Sequence, residues 1–142
     1  MLPLPQEFIA YTSALFGAER WAKYEQAFTQ DAAVSVRFNP WKYTGEMLFP
    51  QAEPVPWCQQ GFWLSERPRF TLDPLFHAGV YYVQEAGSLF LDTVVRALVK
   101  EPVSALDLCA APGGKSTLLR AALPEKSVLV SNEIDRRRAN IL

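Results

Sequence analysis

The chain has 142 residues, 49% of them apolar and 20% charged, with a formal net charge of −1. This is the length of roughly one domain and the balance of an ordinary globular chain. Such a charge excludes a strong overall electrostatic lure for nucleic acid, although a local basic patch stays open. No stretch approaches the ~18 apolar residues of a membrane span. The first residues have neither a positive region nor a long apolar run, so they do not read as a signal peptide. Two cysteines, Cys58 and Cys109, suit a reducing compartment, the cytoplasm, better than a disulfide scaffold. His77 is the single histidine, which leaves no histidine cluster for a metal and reads as a loop hydrogen-bonder.

In chain order, Phe8, Ile9, Thr12, Leu15 and Phe16 share one helical face, and Gly17 ends that helix. Trp21, Tyr24 and Phe28 repeat the pattern in a second helix begun near Glu19, giving an αα-hairpin. Residues 33–38 alternate Val34 and Val36 with polar neighbours and read as a strand, broken by Asn39-Pro40. Residues 40–76 are rich in proline and aromatics, with short strands expected around 46–49 and 61–64. Because its tryptophans need burial, this stretch reads as a packed, loop-rich small domain rather than a linker. From Gln84 a helical stripe returns in Ala86, Leu89, Phe90, Thr93, Val94, Ala97 and Leu98, and Lys100-Glu101-Pro102 ends it. A strand over 104–109, a glycine turn, a helix over 114–122, a strand over 127–132 and a helix capped by Asp135 follow. That order is the start of a doubly wound α/β domain, with the two strands expected parallel and adjacent. The expected division is an α+β domain over 1–76 and the first part of a cofactor-binding domain over 77–142. A parallel sheet is buried on both faces and needs more than two strands. The chain therefore reads as the front of a larger protein, and its incomplete sheet as a surface for self-association.

The chemistry concentrates at Leu106-Asp-Leu-Cys-Ala-Ala-Pro-Gly-Gly-Lys-Ser-Thr117 and Asn132-Glu-Ile-Asp135. A glycine turn after an apolar strand lets main-chain amides approach a polar ligand at a helix start. An acid at the tip of the second strand suits the two hydroxyls of a ribose. Glu133 lies twenty positions after Gly113, near the ~20 that one βαβ unit imposes. A dinucleotide fingerprint would require G-x-G-x-x-G, which is not present. A triphosphate loop would require glycine where Cys109 stands. S-adenosylmethionine remains: its zwitterionic methionine part suits a shorter, proline-containing turn.

The segment 106–117 resembles the first cofactor motif of the Nop/Sun-type RNA cytosine-5 methyltransferases, and Cys109-Ala-Ala-Pro-Gly-Gly-Lys115 is far more specific than a bare glycine turn. Val36-Arg-Phe-Asn-Pro40 resembles a short upstream segment of that family, His77–Leu89 the lead into its core, and Ser131-Asn-Glu-Ile-Asp-Arg136 its second motif. Within the family the nearest likeness is to the group acting on bacterial small-subunit ribosomal RNA. The resemblance implies a Rossmann-like methyltransferase fold and transfer of a methyl group to cytosine C5 of ribosomal RNA. It implies cofactor contacts at Cys109, Ala110, Ala111, Pro112, Gly113, Gly114 and Lys115, with Glu133 on the ribose. The family's two working cysteines lie in later motifs that neither Cys58 nor Cys109 matches, so the chain alone is expected to be inactive. Two other readings stay open: a methyltransferase of another substrate class, and a non-catalytic RNA-binding or assembly module.

Simpler roles compete at several positions. Cys109, ending a strand, reads as a small buried hydrophobe and Cys58 as packing or a surface thiol. Lys115 is either a ligand contact or solvated. Arg136-Arg137-Arg138 reads as a solvated face. Trp41, Trp57, Trp63, Tyr81 and Tyr82 read as core before base-stacking groups. Arg37 reads as a strand buttress held by a salt bridge. Gln84 and Glu85 read as helix capping at least as well as a cofactor wall.

Overall fold

The computed structural model describes residues 4–45 and 48–142. The chain divides into two compact units, one running up to Ala32 and a second from Ala33 to Leu142. In the first, α1 (Gln6–Phe16) and α2 (Ala18–Ala27) form the expected hairpin, with the Gly17 amide closing α1 onto the Ser13 carbonyl. Phe8 meets Trp21 and Phe28 edge-on at 6.2 and 6.1 Å between ring centroids. Two short helices give only a narrow shared seam, filled by these rings together with Tyr24, which meets Phe16 and Phe28 at 5.3 and 5.1 Å. Leu15, expected on that face, is 65% exposed.

The second unit opens with an antiparallel sheet of order β2-β3-β1-β4. Its strands are β1 (Val34–Phe38), β2 (Glu53–Pro54), β3 (Gly61–Leu64) and β4 (Tyr81–Val83). Val36 stands opposite Phe62 on one side and Val83 on the other. The alternation in β1 predicts one solvated face, yet Ser35 and Arg37 are buried as fully as Val36 and Phe38. Val36, Phe38 and Tyr81 anchor one core, joined by Tyr43, Leu48, Phe49 and Phe76. The opposite face of β1 is covered by polar partners, described below. Of the strand expected around 46–49, residues 46 and 47 lie outside the described residues, and Leu48-Phe49 is a bend that packs without pairing. The short α3 (Pro74–His77) is capped by Asp73 and leads to β4. Because β4 pairs with β1, this sheet runs past residue 76 to Val83.

A 3-10 turn over Ala86–Leu89 passes into α4 (Phe90–Leu98). Its buried positions are Ala86, Leu89, Asp92 and Val95, which corrects the expected stripe: Phe90 is 53% and Leu98 77% exposed. The tighter 3-10 start shifts the register to a spacing of three, and Asp92 tolerates burial because Arg96 holds it at 2.9 Å. Then come β5 (Ser104–Asp107), α5 (Gly114–Ala122), β6 (Val128–Ser131) and the single turn α6 (Arg136–Ala139). β5 and β6 are parallel and adjacent, with Leu106 opposite Val130 and Asp107 opposite Ser131. Val95, Ala122 and Leu123 form the core beneath them with Ala105 and Leu129. The other face is open, leaving Leu106 58% and Val130 55% exposed. The fold is an α+β region followed by the opening β-α-β of a Rossmann-like sheet.

Candidate functional site

Everything at the site is arranged around the end of β5. Asp107 turns its carboxylate back into the following bend: Oδ1 accepts the Cys109 amide at 3.3 Å and Oδ2 accepts the Ser116 hydroxyl at 2.6 Å. One side chain thus ties the bend to the first turn of α5. The bend closes when the Gly113 amide donates to the Ala110 carbonyl at 2.8 Å. Gly113 sits at φ +104°, a conformation that L side chains avoid. Gly114 opens α5 against β4, where a Cβ would stand 3.1 Å from Tyr82 Cε1. Glycine is needed at these two positions for different reasons, one for backbone conformation and one for close approach.

The end of β6 grips the same bend. The Asn132 amide donates to the Asp107 carbonyl at 2.8 Å, and the Asn132 carbonyl accepts from Ala110 at 2.9 Å. Its Nδ2 donates to the Leu108 carbonyl at 3.0 Å. Glu133 comes next, with a side chain only 3% exposed. Its Oε1 accepts the Asp135 amide at 3.1 Å, whereas Oε2 is buried and has no hydrogen-bond donor. Arg138 spans the gap between acid and bend. One terminal nitrogen donates to the Ala111 carbonyl at 2.6 Å, and the other lies 3.7 Å from Glu133 Oε2. Arg138 is solvated as a basic run predicts, with a side chain 54% exposed, but its tip is also tied to the bend. Asp135 caps α6 by accepting from the Arg137 and Arg138 amides, and this turns Arg138 back toward the bend.

Beside the bend lies a cleft of about 270 Å³, walled by Tyr82, Gln84, Glu85 and Ser88 on one side and by 109–112, Gly114 and Lys115 on the other. Glu85 caps the 3-10 turn through the Gly87 and Ser88 amides, at 2.7 and 2.8 Å, and those bonds hold its carboxyl below the usual range. Cys109 is exposed rather than buried, because β5 ends two residues earlier at Asp107. The structure thus gathers Cys109, Ala110, Ala111, Pro112, Gly114 and Lys115 around one cleft. Gly113 forms the turn, and Glu133 is tied to Ala111 through Arg138. Glu133 does not itself line this cleft: its side chain is 3% exposed, and its Oε2 is buried without a hydrogen-bond donor. Among the described residues no cluster of histidine, cysteine and carboxylates could hold a metal.

Other residues singled out by the sequence fall elsewhere. Cys58 is packed with Val55, Leu89 and Leu118, and burial pushes its thiol up. His77 Nε2 is 2.7 Å from the Thr71 carbonyl, a loop hydrogen bond. Trp57 and Trp63 pack edge-on at 5.5 Å, but Trp41 is 61% exposed and is no core residue. Arg37 makes no ion pair among the described residues. Instead its Nε donates to Gln84 Oε1 at 3.2 Å and its Nη2 to Thr117 Oγ1 at 2.7 Å. Asp107, Tyr82 and Arg138 were not legible as site residues. For Asp107 a signal existed, an aspartate two residues before the turn, the spacing of an Asx turn.

A family model described as the N-terminal domain of 16S rRNA methyltransferase RsmF matches residues 4–86, more than half of the chain. The chain is 39% identical over 121 residues to the ribosomal RNA small subunit methyltransferase F of Pectobacterium carotovorum subsp. carotovorum (strain PC1), covering 76% of this chain and 25% of that relative. It is 30% identical over 151 residues to the protein of the same description from Enterobacter sp. (strain 638), covering 97% of this chain and 31% of the relative. The chain thus spans about a quarter to a third of the length of these curated relatives. Among solved structures, PH0851 superposes with a TM-score of 0.81 at 22% identity, over 97% of this chain and 32% of that one. A methyltransferase homologue from Pyrococcus horikoshii does so with a TM-score of 0.71 at 24% identity, over 96% of this chain and 51% of that one. At these identities the two structures establish the fold.

Proposed function

The chain belongs to the family described as the N-terminal domain of 16S rRNA methyltransferase RsmF, and from that premise we propose that it supplies the substrate-side domain and half of the cofactor pocket of an enzyme that methylates cytosine C5 in ribosomal RNA. The supporting observation is Glu133 Oε2, a buried acceptor without a donor, held beside the bend by the Asn132 main chain and Arg138. S-adenosylmethionine, when bound, supplies a methyl group made electrophilic by its sulfonium. The residues of this chain position that donor. Main-chain groups of Cys109, Ala110, Ala111, Pro112, Gly113 and Gly114 face its methionine part, and Lys115 meets the carboxylate. Glu133 accepts from the ribose hydroxyls, and Tyr82 and Gln84 wall the cleft against water. None of the described residues is assigned as the attacking nucleophile: Cys58 is sealed in the core, and Cys109 lies in the cofactor bend. The two working cysteines belong to later motifs, so the isolated 142 residues transfer no methyl group. The enzyme works in the cytoplasm, where its RNA substrate is found. The open face of Leu106 and Val130 makes the isolated chain self-associate, which sedimentation velocity reads directly.

Saturation-transfer NMR on the isolated chain tests the cofactor assignment. S-adenosylmethionine should receive saturation and ATP should not. Preferential binding of ATP would replace this reading with a nucleotidase. Radiolabelled methyl transfer to ribosomal RNA by the chain alone would refute the placement of the catalytic groups elsewhere.

A further inference from the structure

A second cleft, of about 250 Å³, lies between the β1–β4 pair and α5, and its charged lining residues are all cations: Arg37, Lys42 and Arg120. None of them takes part in an ion pair among the described residues. Arg37 is 4% exposed at its floor. Its Nε and Nη2 are satisfied by neutral oxygens of Gln84, Thr117 and Gly114, and Nη1 has no hydrogen-bond partner among the described residues. Asp92, whose charge acts on Arg37, is engaged by Arg96 at 2.9 Å. The Arg37 guanidinium thus lines the cleft with no carboxylate among its hydrogen-bond partners, which leaves it open to an anion. Lys42 Nζ donates once, to the Ala78 carbonyl at 2.6 Å, and keeps further donors free. On the rim, the Arg120 guanidinium lies 5.0 Å from the ring centroid of Trp41, which is 61% exposed. Tyr82 lines both this cleft and the one beside the cofactor bend, and its hydroxyl is 3.4 Å from the Pro112 carbonyl.

Cations beside an exposed indole are the chemistry of single-stranded nucleic acid, in which phosphates meet the charges and bases stack on the ring. We propose that this cleft holds one phosphodiester-linked nucleotide of a single-stranded RNA, with its phosphate at Arg37, Lys42 and Arg120 and its base against Trp41. Shared Tyr82 then guides the strand past the cofactor cleft. This rests on the reading of the parent as an RNA-modifying enzyme and names where this chain grips the substrate.

The test is fluorescence anisotropy of a labelled single-stranded RNA on the 142-residue chain across a salt series. Trp41→Ala and Arg120→Glu change exposed side chains and leave the fold intact, which a urea titration verifies. Each should weaken binding about tenfold. Arg120→Glu should also make the log–log salt dependence shallower by about 0.7. Arg67→Glu, outside the cleft, should bind as wild type does. Variants at Trp41 and Arg120 that bind RNA unchanged, or a wild type that binds none, would overturn the proposal. So would AMP or inorganic phosphate displacing the RNA at equal concentration, which would mark a site for free anions. Amide shifts at the bend on adding S-adenosylmethionine report the cofactor reading separately. If the bend responds while the cleft variants bind normally, the cleft inference alone fails; if RNA binding follows the cleft while the bend is silent, the cofactor reading alone fails.

Discussion

Ser116 Oγ donates to Asp107 Oδ2 at 2.6 Å, joining the start of α5 to the end of β5, and Ser131 on β6 donates in turn to Ser116 at 3.0 Å. This chain of three side chains fixes the spacing of the elements that carry the bend and Glu133. Ser116 is 5% exposed, so its removal leaves a carboxylate oxygen short of a donor. Ser116→Ala should lower stability by about 1–3 kcal/mol in urea unfolding. An unchanged midpoint would mean that the link is not structural.

Gly113 and Gly114 predict two separable defects. Gly113→Ala forces an L residue to φ +104° and should cost about 1–2 kcal/mol. Gly114→Ala keeps a helical backbone but places a methyl group 3.1 Å from Tyr82 Cε1. Its effect should therefore be relieved by Tyr82→Ala, whereas that of Gly113→Ala should not. Equal rescue of both would contradict these assignments.

The two thiols should react on different schedules. Cys109 is exposed, whereas Cys58 is 2% exposed and its thiol is pushed up, first by burial and then by the charge of Asp92. A disulfide reagent should titrate one thiol quickly in the folded protein and the second only in urea. Cys109→Ser should abolish the fast phase. Two fast thiols would disprove the packing of Val55, Cys58, Leu89 and Leu118.

Tyr81 makes a prediction about alkaline pH. It is 2% exposed and donates to Asp73 Oδ2 at 2.7 Å. Burial, then the bond to Asp73 and its charge, push the phenol well above the usual range. The unfolded phenol ionises near pH ~10. The stability Tyr81 contributes is therefore whole below that pH and falls as pH rises beyond it. Tyr81→Phe should cost about 0.5–1.5 kcal/mol at neutral pH and flatten the alkaline decline. An alkaline slope equal to that of wild type would contradict the burial of this ring.

The opening β-α-β was legible because its signals are local. Gly113-Gly114 marked the bend, Asp135 capped α6 as predicted, and α5 runs over Gly114–Ala122 as the pattern implied. What escaped depends on long-range contacts. β4 is only three residues long and exists because Val36, Arg37 and Phe38 pair with Val83, Tyr82 and Tyr81. Arg37 looked like one half of an ion pair, yet its partners lie 47 and 80 positions away and are neutral. The α4 stripe was misplaced by a 3-10 start, which periodicity at 3.6 residues cannot register. The bend after β5 and the position of Glu133 after β6 could be read from spacing, but the bridge by Arg138 could not. It follows from the cap at Asp135, which folds a basic run back over the Ala111 carbonyl.

The most direct test is to record amide shifts of isotope-labelled protein during titration with S-adenosylmethionine, with Glu133→Gln in parallel. The largest shifts should fall at Cys109, Gly113, Gly114 and Glu133, and Glu133→Gln should reduce the affinity about fivefold or more. Shifts confined to other regions, or a Glu133→Gln protein that responds as wild type does, would show that the carboxylate and the bend do not share one ligand.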